Sequence, residues 1–305
     1  EWKIFGLYRN QKMITIKPSL VLKPNDVILV IGKPEVLMQV YNVIGKTQGQ
    51  FPMPFGSNIY LYLDLYLENE NSVKKAIDEA KYLNQKLKNS SLIVRITRPT
   101  TVEIMDIIKN ELKHFSTIML FIDYSNKGFS KLIKEDARKH NIGMIMLTQE
   151  MFKNKNDIKS VLELKIPVFK FGKENLKSIK RTVIILNDTN SYEQISPIVF
   201  DISSQLKVRT KVFDLDPIGE KEGKSDLLNH FENLAKIFNE KLEVVTSGEN
   251  PIRELKKQRN MLQILPLKED MFNKRISFKF LYTNSDFIAF DMNKYNQLLI
   301  PIVEE

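Results

Sequence analysis

The chain has 305 residues, of which 43% are hydrophobic and 27% charged, and these proportions are ordinary for a globular protein. Cysteine is absent, which excludes a disulfide framework, a thiolate zinc site and a cysteine nucleophile. The formal net charge is +9, but basic and acidic residues are mixed along the whole chain, so a solvated surface is favoured over nucleic-acid binding.

The first 47 residues are predicted to form three strands and a helix. Residues 4–8 and 13–16 have strand-like patterns on either side of the turn Arg9-Asn10-Gln11-Lys12. The apolar run Val27-Ile28-Leu29-Val30-Ile31 predicts a buried strand. Gly32-Lys33-Pro34 then opens a helix, because proline is tolerated in a first helical turn.

This order of elements resembles the second half of an RCK C-terminal domain, also called TrkA-C. Asp26, Leu29, Val30 and Gly32 lie where that family has an Asp, an apolar run and a Gly. The resemblance implies a non-catalytic cytosolic regulator of potassium or other cation transport. It also implies a homodimer whose partner is a membrane channel or transporter subunit, with a cytoplasmic location peripheral to the inner membrane.

Family members carry a further strand and helix, and usually a Rossmann domain, ahead of this segment. Neither precedes it in this sequence, which opens on Glu1-Trp2-Lys3 with neither an initiating Met nor a signal peptide. We therefore expect this chain to be part of a longer protein. No run reaches the roughly 18 apolar residues that a membrane span requires, so no transmembrane segment is predicted in it.

The remaining residues are predicted to form a linker and two α/β modules. Residues 48–57 are rich in Gly and Pro, which is typical of a linker. Strands and helices then alternate over 58–172 and again over 180–305, which predicts open, mostly parallel sheets covered by helices. The last module is expected to end in short strands at 276–282, 287–290 and 298–303. A diverged duplication would explain the two modules.

The start of the second module resembles universal-stress-protein-like domains. Its apolar strand Ile184-Ile185-Leu186 runs into Asn187-Asp188, and in that family such an Asp lies near bound adenine nucleotide. The resemblance implies that Asp188 contacts a nucleotide. Gly248 is the candidate for a phosphate-binding turn, although no Walker A or GxGxxG motif occurs in the chain. A nucleotide-binding stress module without a channel partner is therefore the alternative function.

Charged residues are predicted at the carboxyl ends of strands, where ligands of open α/β sheets bind. They are Asp64, Arg98, Asp123, Asp188, Asp214 and Asp216. Asp214 and Asp216 could share a cation, but the turn at Asp216-Pro217 explains them better.

Other candidate residues favour structural roles. Tyr60, Tyr62 and Tyr66 are predicted to pack on one face of a strand. His114, His140 and His230 lack the spacing of metal ligands and are predicted to be capping or surface residues. Because no nucleophile–base pair or paired-acid motif occurs, the sequence predicts no catalytic residue, no metal site and no enzyme, and it names no cofactor.

Overall fold

The computed structural model describes residues 2–9, 12–21, 27–37, 40, 50–53, 55–88, 90–125, 127–186, 189–215, 224–267 and 292–302. The chain divides into two compact units, Glu1–Gly49 and Gln50–Glu305. Among the described residues, no helix combines the length and apolarity needed to cross a membrane.

The first unit contains a three-stranded antiparallel sheet in the order β2-β1-β3. Strand β1 (Trp2–Arg9) pairs with β2 (Lys12–Met13) and with β3 (Val27–Gly32), and residues 34–37 are helical. The predicted third strand is confirmed. The second is shorter than predicted, because it ends at Met13, although the Ile14 N–H still donates to Leu7 O at 2.7 Å. Asp26 lies outside the described residues.

In the second unit, strands and helices alternate along the chain, and the strands that the structure describes form one ten-stranded sheet. The strands are β4 (Asn58–Asp64), β5 (Ser91–Thr97), β6 (Met119–Ile122), β7 (Ile142–Leu147), β8 (Val168–Lys170), β9 (Arg181–Ile185), β10 (Arg209–Leu215), β11 (Leu242–Ser247), β12 (Met261–Leu267) and β13 (Asn296–Pro301). The α-helices are α1 (Glu70–Lys86), α2 (Val102–Leu112), α3 (Phe129–Lys139), α4 (Lys155–Leu162), α5 (Thr189–Leu206), α6 (Lys224–Phe238) and α7 (Pro251–Lys257).

The sheet consists of two halves with the same strand order. Counted along the chain, β6-β5-β4-β7-β8 and β11-β10-β9-β12-β13 both follow the order 3-2-1-4-5. Neighbouring strands are parallel within each half, and the antiparallel pair of β8 and β13 joins the halves. The predicted α/β fold with mostly parallel strands is thus confirmed. Both predicted modules contribute to one sheet, and their boundaries stay a prediction.

Helices cover both faces of this sheet. Successive residues of β4 point to opposite faces, so Leu61 packs into one core cluster and Tyr62 into the other. The cluster around Leu61 includes side chains of α1, α2, α5 and α6, whereas the other cluster includes side chains of α3, α4 and α7. The first cluster spans both halves of the sheet, so the halves share a core.

Part of the predicted linker is built into the second unit. Phe51 is only 1% exposed and belongs to the first core cluster. The backbone N–H groups of Gln50 and Phe51 donate to Asp201 Oδ2 on α5 at 3.1 and 2.7 Å. Residues 50–53 and 55–57 are therefore anchored to the second unit, because a buried aromatic ring and paired amides fix them there. The strands predicted at 276–282 and 287–290 lie outside the described residues.

Candidate ligand-binding site

A cavity of about 260 Å³ opens at the carboxyl ends of β4, β7 and β8. From β4 the chain continues to β5 on one side, whereas β7 is its neighbour on the other, so this is a topological switch point of the sheet. Four segments line the cavity: Leu67, Glu68 and Asn69 after β4; Ser72, Lys75 and Ala76 on α1; Thr148, Gln149 and Glu150 after β7; and Phe171, Gly172 and Lys173 after β8.

A capping box fixes the start of α1 at the cavity. Asn69 Oδ1 accepts from the Ser72 N–H at 3.0 Å, and Ser72 Oγ accepts from the Asn69 N–H at 3.0 Å. From the sequence, Asn71-Ser72 is predicted to cap a helix that runs through Lys86. The helix begins earlier because Ser72 is the third helical residue of the box, where its hydroxyl returns to the cap backbone.

Glu68 supplies a nearly buried carboxylate to the cavity. It is 8% exposed, and its Oε1 accepts a short hydrogen bond from the hydroxyl of Thr148, which is 5% exposed. The Thr148 Oγ1 also accepts from the Met151 N–H at 3.4 Å. Thr148 is the only hydrogen-bond partner of the Glu68 carboxylate among the residues that the structure describes. The second carboxylate oxygen can therefore accept from a ligand.

Lys75 and Glu79 bind the backbone of the segment after β8, which forms one wall of the cavity. Lys75 Nζ donates to the carbonyls of Gly172 and Lys173 at 2.7 and 2.9 Å and lies 3.8 Å from Glu79 Oε1. Glu79 is buried, and its Oε1 accepts from the Leu176 N–H at 3.1 Å. Burial raises the pKa of Glu79 to about 7, against the opposing effects of that amide and of Lys75.

Residues of the second half of the sheet, near the start of β13, contact the cavity wall. Gln149 Nε2 donates to Asn293 O at 2.6 Å, and the Gly172 N–H donates to Asn296 Oδ1 at 2.8 Å. A Cβ on Gly172 would lie 2.2 Å from the carbonyl carbon of Tyr295, so only glycine fits there. The cavity wall is thus fixed to the residues that lead into β13.

The structure brings two of the predicted strand-end residues together outside this cavity. Arg98 Nε lies 2.9 Å from both carboxylate oxygens of the buried Asp64, and its guanidinium lies 4.9 Å from the ring centre of Tyr66. Asp64 and Arg98 therefore pair their charges and hydrogen-bonding groups with each other. Tyr66 is 73% exposed, so its predicted packing beside Tyr60 and Tyr62 is wrong, because β4 ends at Asp64.

The other strand-end residues are dispersed. Asp123 Oδ1 accepts from Ser125 Oγ at 2.8 Å, and Asp214 forms an ion pair with Lys224 at 3.1 Å. Gly248 is exposed just beyond the edge strand β11, two strands from β9. Asp188 and Asp216 lie outside the described residues.

Tyr60 and Tyr62 are buried, as predicted. Tyr62 Oη donates to Asp136 at 3.1 Å. The predicted position of His140 is confirmed, since it caps the carboxyl end of α3. His230 Nε2 lies 3.0 Å from Ser196 Oγ. In the part of the chain that the structure describes, no three acidic or histidine side chains are grouped to hold a metal ion.

Sequence reasoning missed Glu68, Lys75, Thr148 and Gln149. Glu68 and Thr148 are 80 positions apart and meet only because β4 and β7 are neighbours. One local signal was present: Asn69 followed three residues later by Ser72 is a polar pair at capping-box spacing and marks the helix start at the end of a strand. This signal predicts where a crevice opens at the end of a strand, but it does not identify the residues on the opposite side of that crevice.

No family model matches the chain, so the TrkA-C resemblance has no such support, and no curated protein matches it either. Among solved structures, a universal stress protein from Archaeoglobus fulgidus DSM 4304 is 12% identical, with a TM-score of 0.49 over 79% of this chain and 96% of that one. A structure of the tryptophan synthase α2β2 complex from Pyrococcus furiosus is 13% identical, with a TM-score of 0.17 over 77% and 99%. Neither likeness bears on function at these values.

Proposed function

We propose that this chain is a non-catalytic module that binds a nucleoside or nucleotide in the cavity at the ends of β4, β7 and β8. The observation that carries the proposal is the position of this cavity, at the switch point of a half-sheet with strand order 3-2-1-4-5. The doubly wound dinucleotide-binding fold, with strand order 3-2-1-4-5-6, begins with the same order and binds its ligand in the crevice where that order reverses. The volume of about 260 Å³ lies just below the roughly 300–1,000 Å³ of typical small-molecule sites, so the cavity can enclose a small ligand or part of a larger one.

The polar groups of the cavity support binding rather than catalysis. Lys75 is held by two backbone carbonyls, and Thr148 donates to Glu68. A general base needs a nucleophile within hydrogen-bond reach, and the Thr148 hydroxyl is buried against Glu68 in the cavity wall. Glu68 is thus the group of the cavity that is placed to accept hydrogen bonds from a ligand.

Thermal melting with a panel of adenosine, AMP, ADP, ATP and their guanine counterparts tests the proposal. A ligand at 100 times its Kd is expected to add about 2.7 kcal/mol to the free energy of unfolding. Ala76→Leu fills the cavity and is expected to abolish this stabilisation. Ala137→Leu, on α3 across the sheet, is the matched control and should retain it. If no member of the panel raises the melting temperature, the proposal is wrong.

Asp188 and Gly248 remain proposals for nucleotide contact in the second half. The supporting observation for Asp188 is that β9 and β12 form the same switch point there as β4 and β7 do in the first half, whereas Gly248 follows the edge strand β11 and has no such support. If this half also binds, calorimetry should give two ligands per chain, and Asp188→Asn should reduce that number to one. A stoichiometry of one that Asp188→Asn leaves unchanged would contradict a second site.

A role in potassium or other cation transport is a second proposal. It is supported by the three strands and following helical residues of the first unit, and by the exposed apolar side chains of Trp2, Phe5, Leu29 and Ile31. A homodimer partner or a channel or transporter subunit at the inner membrane would cover them. Deletion of the gene is expected to reduce potassium uptake, and unchanged uptake and potassium-limited growth would contradict this role.

A further inference from the structure

We infer that the cavity recognises the ribose hydroxyls of its ligand through the Glu68 carboxylate and leaves any phosphate outside. This inference rests on the proposed function and specifies which part of the ligand the site selects. Four observations support it. They concern the hydrogen bonds that Glu68 accepts, the acceptors that neighbouring donor groups already have, the capped start of α1, and the charged residues that line the cavity.

Glu68 is the acceptor around which the site is built. An ionised carboxylate only accepts hydrogen bonds and has room for about four of them. Among the described residues it receives one, from Thr148, although the side chain is only 8% exposed. A poorly solvated carboxylate gains from each further donor, because hydrogen bonds to charged groups are the stronger ones. Two neighbouring hydroxyls, as on a ribose, match its two oxygens.

Three side-chain donors that line the cavity already have acceptors in the protein, whereas a fourth, Lys173, is exposed. Lys75 donates to the carbonyls of Gly172 and Lys173, and Gln149 Nε2 donates to Asn293 O. Ser72 Oγ donates to Asn69 O at 2.8 Å. A phosphate needs several donors at once, and recruiting these would break the contacts that hold the cavity wall. A ligand that brings its own donors leaves those contacts in place.

The start of α1 is also unsuited to a phosphate. A helix N-terminus binds anions through free N–H groups and its positive end. Here the Ser72 N–H donates to Asn69 Oδ1, and the first turn carries Glu70, two residues after Glu68. The carboxylates compensate the helix dipole at the place where a phosphate would lie.

The charges around the cavity favour a neutral hydroxyl over an ammonium group. Glu150 forms an ion pair with Lys153 at 2.6 Å, so its negative charge is already compensated by the protein. Lys75, which also lines the cavity, places a positive charge there, with its Nζ 3.8 Å from Glu79 Oε1. A cationic ligand would meet that ammonium group, whereas a hydroxyl adds no charge.

Isothermal titration with adenosine, AMP, ATP and 2′,3′-dideoxyadenosine tests the inference. Adenosine, AMP and ATP are expected to bind with similar affinity, and the dideoxy nucleoside about tenfold or more weakly, since each hydrogen bond to a charged group contributes about 1.5–3 kcal/mol. Glu68→Gln should weaken adenosine by a similar factor and remove the discrimination between the two nucleosides. Glu249→Gln, exposed beyond β11, is the control and should bind as the wild type does.

Glutamine at position 68 can still accept from Thr148, so this variant is expected to fold, which melting by circular dichroism checks. If the dideoxy nucleoside binds as well as adenosine, or if affinity rises with each added phosphate, this inference is overturned while the proposed function stands. If no nucleoside or nucleotide binds, both are overturned. Weaker adenosine binding by Glu68→Gln with retained discrimination would also contradict the inference, because another group would then select the hydroxyls.

Discussion

Glu79 is a buried acid in the middle of α1, and one of its oxygens, Oε2, has no hydrogen-bond partner among the residues that the structure describes. Burial raises its pKa from 4.5 to about 7. The folded chain therefore holds this proton more tightly than the unfolded chain does. Between pH 4.5 and 7 the unfolded state loses the proton first, so the contribution of Glu79 to stability falls as pH rises through that window.

Glu79→Gln removes this pH dependence, because the amide stays neutral and its oxygen can still accept from the Leu176 N–H. Relative to wild type, we expect the variant to gain on the order of 2 kcal/mol in unfolding free energy between pH 5 and pH 8. Urea denaturation at both pH values measures it. The exposed control Glu249→Gln should show no such gain, and an equal effect of Glu79→Gln at both pH values would contradict the assignment.

Gly172 is required by close packing rather than by backbone conformation. An alanine Cβ would lie 2.2 Å from the Tyr295 carbonyl carbon, and backbone atoms cannot move aside. Gly172→Ala is expected to lower the unfolding free energy by about 3 kcal/mol, at the upper end of overpacking effects. Gly128→Ala, where no atom lies within 4 Å, should cost less than about 1 kcal/mol. Similar losses for the two variants in denaturant titrations would rule out this account of Gly172.

At the level of elements, the capping box of α1 links the fold to the site. Asn69→Ala leaves the Ser72 N–H without its side-chain acceptor and is expected to cost about 1 kcal/mol of stability. It should also weaken ligand binding, since Glu68 immediately precedes the cap. Melting and titration of the same variant measure both effects. A stability loss with unchanged affinity would show that the cap does not position Glu68.

Local patterns were enough to predict most elements of the second unit. Apolar alternation and helix caps such as Thr101, which precedes α2, depend on neighbouring residues, so the alternation of strands and helices over 58–172 can be predicted from the sequence. The contacts that build the site, in contrast, join residues that are far apart in the sequence. Gln149 and Asn293 are 144 positions apart, and only the antiparallel pairing of β8 with β13 brings them together. No local pattern specifies that pairing.

At the scale of the whole molecule, the second unit is built on one continuous sheet, although the two halves of that sheet have the same strand order. Leu298 on β13 pairs with Phe169 on β8, and both belong to the core cluster that spans the two halves. We therefore expect the halves to unfold together. Leu298→Ala should lower the unfolding free energy by about 2–5 kcal/mol. Hydrogen exchange should report equal losses for amides of β7 and β12, and a loss confined to β12 would indicate independent halves.

The central claim is that the cavity at the ends of β4, β7 and β8 binds a nucleoside. Its most direct test is calorimetric titration of adenosine into the wild type and into Ala76→Leu. We predict saturable binding to the wild type and none to the variant, which fills the cavity from α1. Equal binding to both proteins would place the ligand elsewhere, and absence of binding to the wild type would contradict the claim itself.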